Sequence, residues 1–139
     1  MPSKWFSVSE MLATSTGLDN TPPTESPLWS NIDQTMQRLD AVREVLGKPV
    51  RITSGYRSAA VNKAIGGEAT SAHCLGHAAD FVCANQDPAD LCRQVIEAGI
   101  QFDQLIAEYR GSRWVHISFA PKMRGEVLTY RNGKYTPGL

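Results

Sequence analysis

The sequence has few cysteines, no long hydrophobic run and no excess of charge of either sign. Its three cysteines form no CxxC pair, so neither a disulfide framework nor a thiolate zinc site is expected, and we predict reduced thiols. No apolar run approaches the roughly 20 residues that cross a bilayer, so no membrane span is expected. Lys plus Arg and Asp plus Glu both number 14, and this balance argues against a nucleic-acid partner.

The length of 139 residues suits one hydrophobic core, and we expect a single domain over residues 1–139. Residues 1–13 contain one lysine and mix polar with apolar side chains, which is unlike a secretory signal. We therefore expect the chain to be made in the cytoplasm.

Apolar periodicity and turn-forming residues predict helices that alternate with strands. The clearest helix spans residues 31–46 and ends at Gly47, and its predicted apolar stripe contains Ile32, Met36, Leu39, Val42, Val45 and Leu46. Shorter helices are predicted over residues 8–13, 58–65 and 88–98, the last with a buried stripe of Leu91, Val95 and Ile96. Strands are predicted over residues 50–53, 78–83, 102–109 and 114–119, and Asn132-Gly133 indicates a further hairpin. This order favours an α+β fold with a small, mostly antiparallel sheet and flanking helices.

Two stretches carry residue types that bind metals. His73 and Asp80 are separated by a glycine-containing turn that leads into a predicted strand. In the strand 114–119 the side chains alternate, so Trp114 and His116 lie on the face opposite to an apolar set. Two histidines and one carboxylate are a standard ligand set for catalytic zinc, with a fourth position left for water. The spacing alone is weak evidence, because three histidines in a chain of this length often give such a set.

Four blocks of sequence lie in order between residues 50 and 119. They are Ser54-Gly55-Tyr56-Arg57-Ser58, Gly66-Gly67, Ser71-x-His73-x-x-Gly76-x-Ala78-x-Asp80 and Trp114-Val115-His116-Ile117-Ser118. In this order they resemble the motifs of the D-alanyl-D-alanine carboxypeptidase family of zinc peptidases, peptidase M15. That family includes bacterial carboxypeptidases, dipeptidases and many phage endolysins, and shares its fold with the zinc-bearing domain of hedgehog proteins. The chain is most similar to the short, single-domain branch common in phage genomes.

The resemblance implies a hedgehog/DD-peptidase-like fold and a zinc ion held by His73, Asp80 and His116. It implies that Arg57 faces the cleft, where a guanidinium binds a substrate carboxylate or stabilises an oxyanion. Ser71 would hydrogen-bond substrate near the metal. The implied substrate is the stem peptide of peptidoglycan, reached in the cell wall only if another factor releases the protein.

The sequence leaves a substrate contact of Trp114 and a ligand role of His77 as alternatives. Trp114 is interpreted equally as a wall for the substrate and as an edge aromatic. His77 lies four residues from His73, but Gly76 between them argues against a helical ligand pair, so a surface or supporting role is expected.

The general base departs from the family pattern. Known members carry an acid three residues before the last histidine, where this chain has Arg113, which cannot accept a proton. We predict that Glu108 is the base, because a turn over residues 111–113 would place it directly across from the last histidine. A two-residue turn would put it on the opposite face. Glu68 and Asp103 are the lesser candidates.

Two functions therefore stay open. The first is an enzyme that hydrolyses amide bonds in peptidoglycan stem peptides, as a D-Ala-D-Ala carboxypeptidase or an endolysin-type endopeptidase. The second is a non-catalytic, zinc-stabilised binding or structural module of the same fold, which the arginine at the usual acidic position keeps possible.

Overall fold

The computed structural model describes residues 2–139 and alternates helices with strands. The helices in this part of the chain are α1 (Val8–Leu12), α2 (Leu28–Leu46), α3 (Ala59–Ala64) and α4 (Pro88–Glu97). The strands are β1 (Arg51–Ser54), β2 (Ala78–Val82), β3 (Gln104–Arg110), β4 (Ser112–Ser118), β5 (Glu126–Arg131) and β6 (Lys134–Pro137). A short 3₁₀ turn over Ala72–Leu75, which the sequence pattern does not predict, precedes β2.

The six strands form one sheet in the order β1-β2-β4-β3-β5-β6. All neighbouring strands run antiparallel except β3 and β5, which pair in parallel. The predicted α+β fold with a mostly antiparallel sheet is confirmed. The parallel pair is not predicted, because the hairpin pattern of β3 and β4 carries no information about which edge the next strand joins.

Helix α2 supplies the main helical face of the core. It starts three residues earlier than predicted, at Leu28 directly after Pro27, whose ring fixes a backbone angle suited to a helix start. It ends at Gly47, which adopts a left-handed conformation with φ 65° and donates its N–H to the carbonyl of Arg43. This cap explains why the helix stops where the sequence indicates.

The predicted apolar stripes are confirmed in part. The residues of α2 buried as expected are Ile32, Met36, Leu39, Val42 and Leu46. Val45 of α2 and Ile96 of α4 are exposed, although both belong to the predicted stripes. Each lies beside a buried residue on the helix circumference but just outside the arc of buried residues, so the prediction at these two positions is wrong.

One face of the sheet packs against α2 and α4, and the other carries the polar residues of interest. The buried strand residues on the core face are Ala79, Phe81, Leu105, Ala107, Val115 and Ile117. Side chains alternate along a strand, so Asp80, Glu108 and His116 lie on the opposite face. The strand parity predicted for residues 114–119 is confirmed.

Cys83 and Cys92 are buried as expected, whereas Cys74 is half-buried. All three cysteines are free, and burial raises the pKa of Cys92 to about 12, as expected for inert core thiols. Among the described residues, none of the helices has the length and hydropathy needed to span a bilayer.

Candidate functional site

Three side chains with metal-binding groups meet at the centre of the sheet. Asp80 of β2 and His116 of β4 are direct cross-strand partners, and His73 reaches them from the 3₁₀ turn. Asp80 Oδ1 lies 2.9 Å from His116 Nδ1 and 3.2 Å from His73 Nε2, and the two histidine nitrogens are 3.3 Å apart. The three predicted ligand residues are therefore brought together, with potential ligand atoms within 4.8 Å of one another.

The turn that carries His73 is held by its own sequence and by α2. The hydroxyl of Ser71 accepts a hydrogen bond from the His73 backbone N–H at 3.2 Å and so caps the turn. Gly76 ends it with φ 77°, a conformation that glycine adopts without strain. The hydroxyl of Thr35 in α2 donates to the Gly76 carbonyl at 2.7 Å, which fixes the turn to the helix.

The ring of His73 is oriented by the backbone. Its Nδ1 lies 2.7 Å from the carbonyl oxygen of Gly55, and a carbonyl can only accept, so Nδ1 is the donor. This leaves Nε2 as the ring nitrogen that faces Asp80. A hydrogen bond from the second ring nitrogen is the usual support of a metal-binding histidine. The buried position of His73 also fits a ligand whose ring must not rotate.

Arg57 contacts the remaining oxygen of the Asp80 carboxylate. Its Nη2 lies 3.4 Å from Asp80 Oδ2, its Nε donates to Ser54 Oγ, and its Nη1 donates to Asn62 Oδ1. Its backbone N–H also donates to the His73 carbonyl. Arg57 thus supports two of the three ligand residues, and its predicted contact with substrate stays a prediction.

The charge of Asp80 suits a metal ligand. Burial alone would raise its pKa, but the attraction of His73 and hydrogen bonds from His116 and His73 outweigh burial and hold the pKa well below its ordinary value. The carboxylate is therefore ionised at neutral pH. Two imidazole nitrogens and one carboxylate oxygen match the three-ligand set of catalytic zinc, so this donor set fits the ion.

The chain is similar to known peptidases along most of its length. The sequence profile of the Peptidase M15 family matches residues 4–118. The chain belongs to this family. It is also 42% identical over 53 residues to a zinc D-Ala-D-Ala carboxypeptidase of Streptomyces albus G. That match covers 37% of this chain and 21% of the relative, so the chain matches about a fifth of the relative's length. The family resemblance inferred from the four sequence blocks is confirmed.

The predicted register of the β3–β4 hairpin of this M15 protein is wrong. We expected residues 111–113 to form the turn. Instead, Arg110 and Ser112 are paired across the hairpin, and Gly111 between them has φ 78°. Strand β4 therefore begins at Ser112, because a glycine in the left-handed region lets the chain reverse without a longer loop.

In the observed register, Glu108 is displaced along β4 from the predicted position opposite His116. Glu108 lies opposite Trp114, and Ile106 takes the expected place opposite His116. Glu108 remains on the face that carries His116, because residues 106 and 108 share their orientation along the strand. A diagonal neighbour in an antiparallel pair is about 7–8 Å away, so Glu108 lies beside the metal-binding group rather than directly across from it.

The carboxylate of Glu108 is buried and held at both oxygens. Oε1 accepts a hydrogen bond from Arg110 Nε at 3.1 Å, and Oε2 accepts one from Trp114 Nε1 at 2.9 Å. Trp114 is half-buried, and its indole N–H contacts the site through this hydrogen bond to Glu108. Sequence reasoning missed Arg110, although its alternation with Glu108 on the same strand is the signal that could have found it.

The other polar candidates lie outside the metal-binding group. Asp103 is held by Arg124 through Nε at 2.9 Å and Nη2 at 2.8 Å, and these hydrogen bonds lower its pKa. Glu68 is exposed and contributes its backbone carbonyl to a hydrogen bond from Asn62. His77 is half-buried, and burial lowers its pKa.

Proposed function

We propose that the protein is a zinc-dependent peptidase that hydrolyses amide bonds in peptidoglycan stem peptides, as a D-Ala-D-Ala carboxypeptidase or an endolysin-type endopeptidase. The observation that carries the proposal is the convergence of His73, Asp80 and His116 on one face of the sheet. Membership of the M15 family and the similarity to a zinc D-Ala-D-Ala carboxypeptidase support it. The protein would act on the cell wall after another factor, such as a phage lysis system, gives it access.

Some residues of the site would bind the metal, and others would hold these ligands in place. His73, Asp80 and His116 would hold zinc, and the Gly55 carbonyl and Arg57 would keep two of these ligands in place. When bound, zinc supplies a Lewis acid that polarises the scissile carbonyl and makes water a better nucleophile at neutral pH. One carboxylate oxygen of Asp80 contacts the histidines and the other contacts Arg57, so both contacts form in a single orientation of the carboxylate.

Glu108 would move the proton that hydrolysis requires. One of its carboxylate oxygens would accept the proton of the attacking water and then deliver it to the nitrogen of the leaving amine. Its place on the same face as His116 supports this role. The hydrogen bond from Trp114 and the ion pair with Arg110 restrict the orientations that the carboxylate can adopt.

The remaining predicted site residues would bind substrate. Trp114 is half-buried beside Glu108 and would form a wall of the cleft, while Ser71 would offer its hydroxyl next to His73. Arg57 is mostly buried, with 14% of its side chain exposed, and would bind a substrate carboxylate or the developing oxyanion through N–H groups other than those that bond Ser54, Asn62 and Asp80.

A second candidate function is a zinc-stabilised module without turnover. The observation that favours it is Arg113, at the position where known family members carry the acid. Its guanidinium lies 3.4 Å from the Asp87 carboxylate, so this side chain forms an ion pair and cannot act as a base. The two functions differ in whether any carboxylate near the metal accepts a proton, which the second experiment below measures.

The first experiment tests the metal centre. Purified protein should contain about one zinc ion per chain by mass spectrometry of the metals. His116→Ala should lose most of that zinc, because a ligand is removed, and should lose hydrolysis of purified muropeptides. His77→Ala is the matched control and should retain both. Hydrolysis at the wild-type rate by His116→Ala in the presence of a chelator would refute the metal centre.

The second experiment separates the enzyme from the inert module. Glu108→Gln preserves shape and hydrogen-bonding reach but removes the proton acceptor, so kcat should fall by about 10²–10⁴-fold with normal zinc content. Glu97→Gln on the exposed side of α4 is the matched control and should keep the wild-type rate. A wild-type protein that binds zinc and releases no product from muropeptides or sacculi would favour the non-catalytic module.

A further inference from the structure

The last two strands lie beyond the segment that matches the M15 family. That match ends at residue 118, whereas β5 and β6 span Glu126–Arg131 and Lys134–Pro137. Tyr130 of β5 is the parallel partner of Glu108, and Tyr135 of β6 is the antiparallel partner of Tyr130. Paired residues share a face of the sheet, so this C-terminal hairpin places two tyrosines on the face that carries Glu108.

Arg110 connects these tyrosines to Glu108. Its guanidinium carbon lies 3.5 Å from the ring centroid of Tyr130, and its Nη2 donates a hydrogen bond to the Tyr135 hydroxyl at 3.0 Å. The two rings pack edge to face, with centroids 4.7 Å apart. The Nε of the same arginine donates to Glu108 Oε1 at 3.1 Å. Through Arg110, these contacts connect β6 and β5 to the buried carboxylate of Glu108.

This arrangement is more than an ordinary surface ion pair. The side chain of Arg110 is 41% exposed, and an arginine with that exposure normally loses rotamer freedom when it pairs and gains little net stability. Here stacking on Tyr130 and the hydrogen bond to Tyr135 restrict the guanidinium independently of its contact with Glu108. Trp114 holds the second oxygen, so the carboxylate is fixed at two points that lie on different strands.

We infer that Arg110 is a positioning residue for Glu108 and that the C-terminal hairpin fixes it through Tyr130 and Tyr135. The inference rests on the proposed function, because it assigns the orientation of the proposed base. A displacement of about 1 Å in a catalytic group can cost about 10²-fold in rate. Replacement of Arg110 should therefore lower kcat strongly and change the free energy of unfolding only slightly.

The chain contains a matched control for this contact. Arg131 of β5 lies with its guanidinium carbon 4.2 Å from the ring centroid of Tyr109, on the opposite face of the same strand pair. It reproduces an arginine stacked on a tyrosine, but away from the face that carries Glu108. Arg131→Gln thus removes a similar stacking interaction and should leave the orientation of Glu108 unchanged.

The first test reads the orientation of Glu108 without turnover. In metal-free protein, the Trp114 indole N–H resonance is observed by ¹H–¹⁵N NMR and assigned with Trp114→Phe. Arg110→Gln and Tyr135→Phe should move this resonance and speed its exchange with solvent, because its acceptor is no longer fixed. Arg131→Gln should leave it in place. An unmoved resonance in both Arg110→Gln and Tyr135→Phe would overturn the inference.

The second test is a double-mutant cycle on the stem peptide that the wild-type protein cleaves fastest. Arg110→Gln should lower kcat by about tenfold or more with KM within about twofold, and Arg110→Lys should restore part of the loss. In a Glu108→Gln background, Arg110→Gln should cause no further loss, because both changes remove the same contribution. Melting temperature and zinc content confirm that each variant is folded and loaded.

The outcomes separate this inference from the proposed function. If Glu108→Gln alone keeps the wild-type kcat, the assignment of the base fails and the positioning role fails with it. If Glu108→Gln lowers kcat but Arg110→Gln acts independently of it, or changes only KM, the base stands and this inference is overturned. Equal loss in Arg131→Gln and Arg110→Gln would also overturn it.

Discussion

Gly76 is the position where one added methyl group tests how the ligand turn depends on α2. A Cβ at this residue would lie 3.0 Å from Ile32 Cγ1, 3.2 Å from Asn31 Cβ and 3.3 Å from the Ile32 backbone nitrogen. Gly47, the C-cap of α2, has a similar φ of 65° against 77°, but apart from its two chain neighbours no residue of 2–139 would have an atom within 4 Å of a Cβ there. The two alanine variants therefore share the backbone penalty and differ in the contact with the helix.

The expected losses in the free energy of unfolding follow from that comparison. An alanine in the left-handed conformation costs about 1–2 kcal/mol, and the less flexible unfolded chain offsets about 0.4–1 kcal/mol of this. Gly47→Ala should therefore lower the free energy of unfolding by about 1 kcal/mol. Gly76→Ala adds overpacking against α2, which costs about 1–3 kcal/mol, partly in backbone contacts that cannot rotate away. The expected difference between the variants is this second contribution alone.

Urea denaturation of the metal-free proteins, followed by circular dichroism, measures both losses. Calorimetric zinc titration adds a functional readout, because Gly76 lies between His73 and Asp80 and a displaced turn should weaken binding. Gly47→Ala should bind zinc as the wild type does. Equal losses of stability in the two variants would refute the argument that the turn is packed tightly on α2, and unchanged zinc affinity in Gly76→Ala would refute its link to the ligands.

Two further predictions concern the core and the pH dependence of stability. Leu39→Ala should cost about 2–5 kcal/mol in urea unfolding because it opens a cavity in the core, whereas the exposed Val45→Ala should stay within about 0.5 kcal/mol; similar values for both would contradict the burial of the α2 stripe. Hydrogen bonds from Arg124 hold the pKa of Asp103 below its ordinary value, so the unfolded chain binds more protons and this pair stabilises the fold above about pH 4. The difference in urea midpoint between the wild type and Arg124→Gln should therefore be present at pH 7 and shrink as the pH falls below about 4; a difference that stays constant with pH would count against this linkage.

The parts of the fold that could be predicted from the sequence are those set by local patterns. The α2 stripe follows from periodicity, and the position of His116 on the open face follows from strand alternation. The hairpin register could not be predicted, because it depends on whether the chain reverses at Gly111 alone or over three residues. Either choice satisfies the same apolar alternation in β3 and β4.

The support of the candidate site was harder to predict than its ligands. His73, Asp80 and His116 belong to recognisable blocks, whereas the contact of Arg110 with Tyr130 and Tyr135 depends on the parallel pairing of β3 with β5. A long-range strand pair leaves no periodic signal at the residues that it brings together. The exposure of Val45 is not predicted for a related reason, because the width of the buried face depends on what packs against the helix.

The position of β2 and β4 inside the sheet limits how a peptide can approach the ligands. Both strands have neighbours on each side, and Asp80 and His116 are each paired with a residue on both neighbouring strands. At these two residues an extended peptide therefore cannot join the sheet by β-augmentation, the binding mode in which backbone hydrogen bonds give the affinity. The proposed stem-peptide substrate would lie across the face of the sheet and be recognised by side chains such as Trp114, so its selectivity would change through single substitutions without any change of the fold.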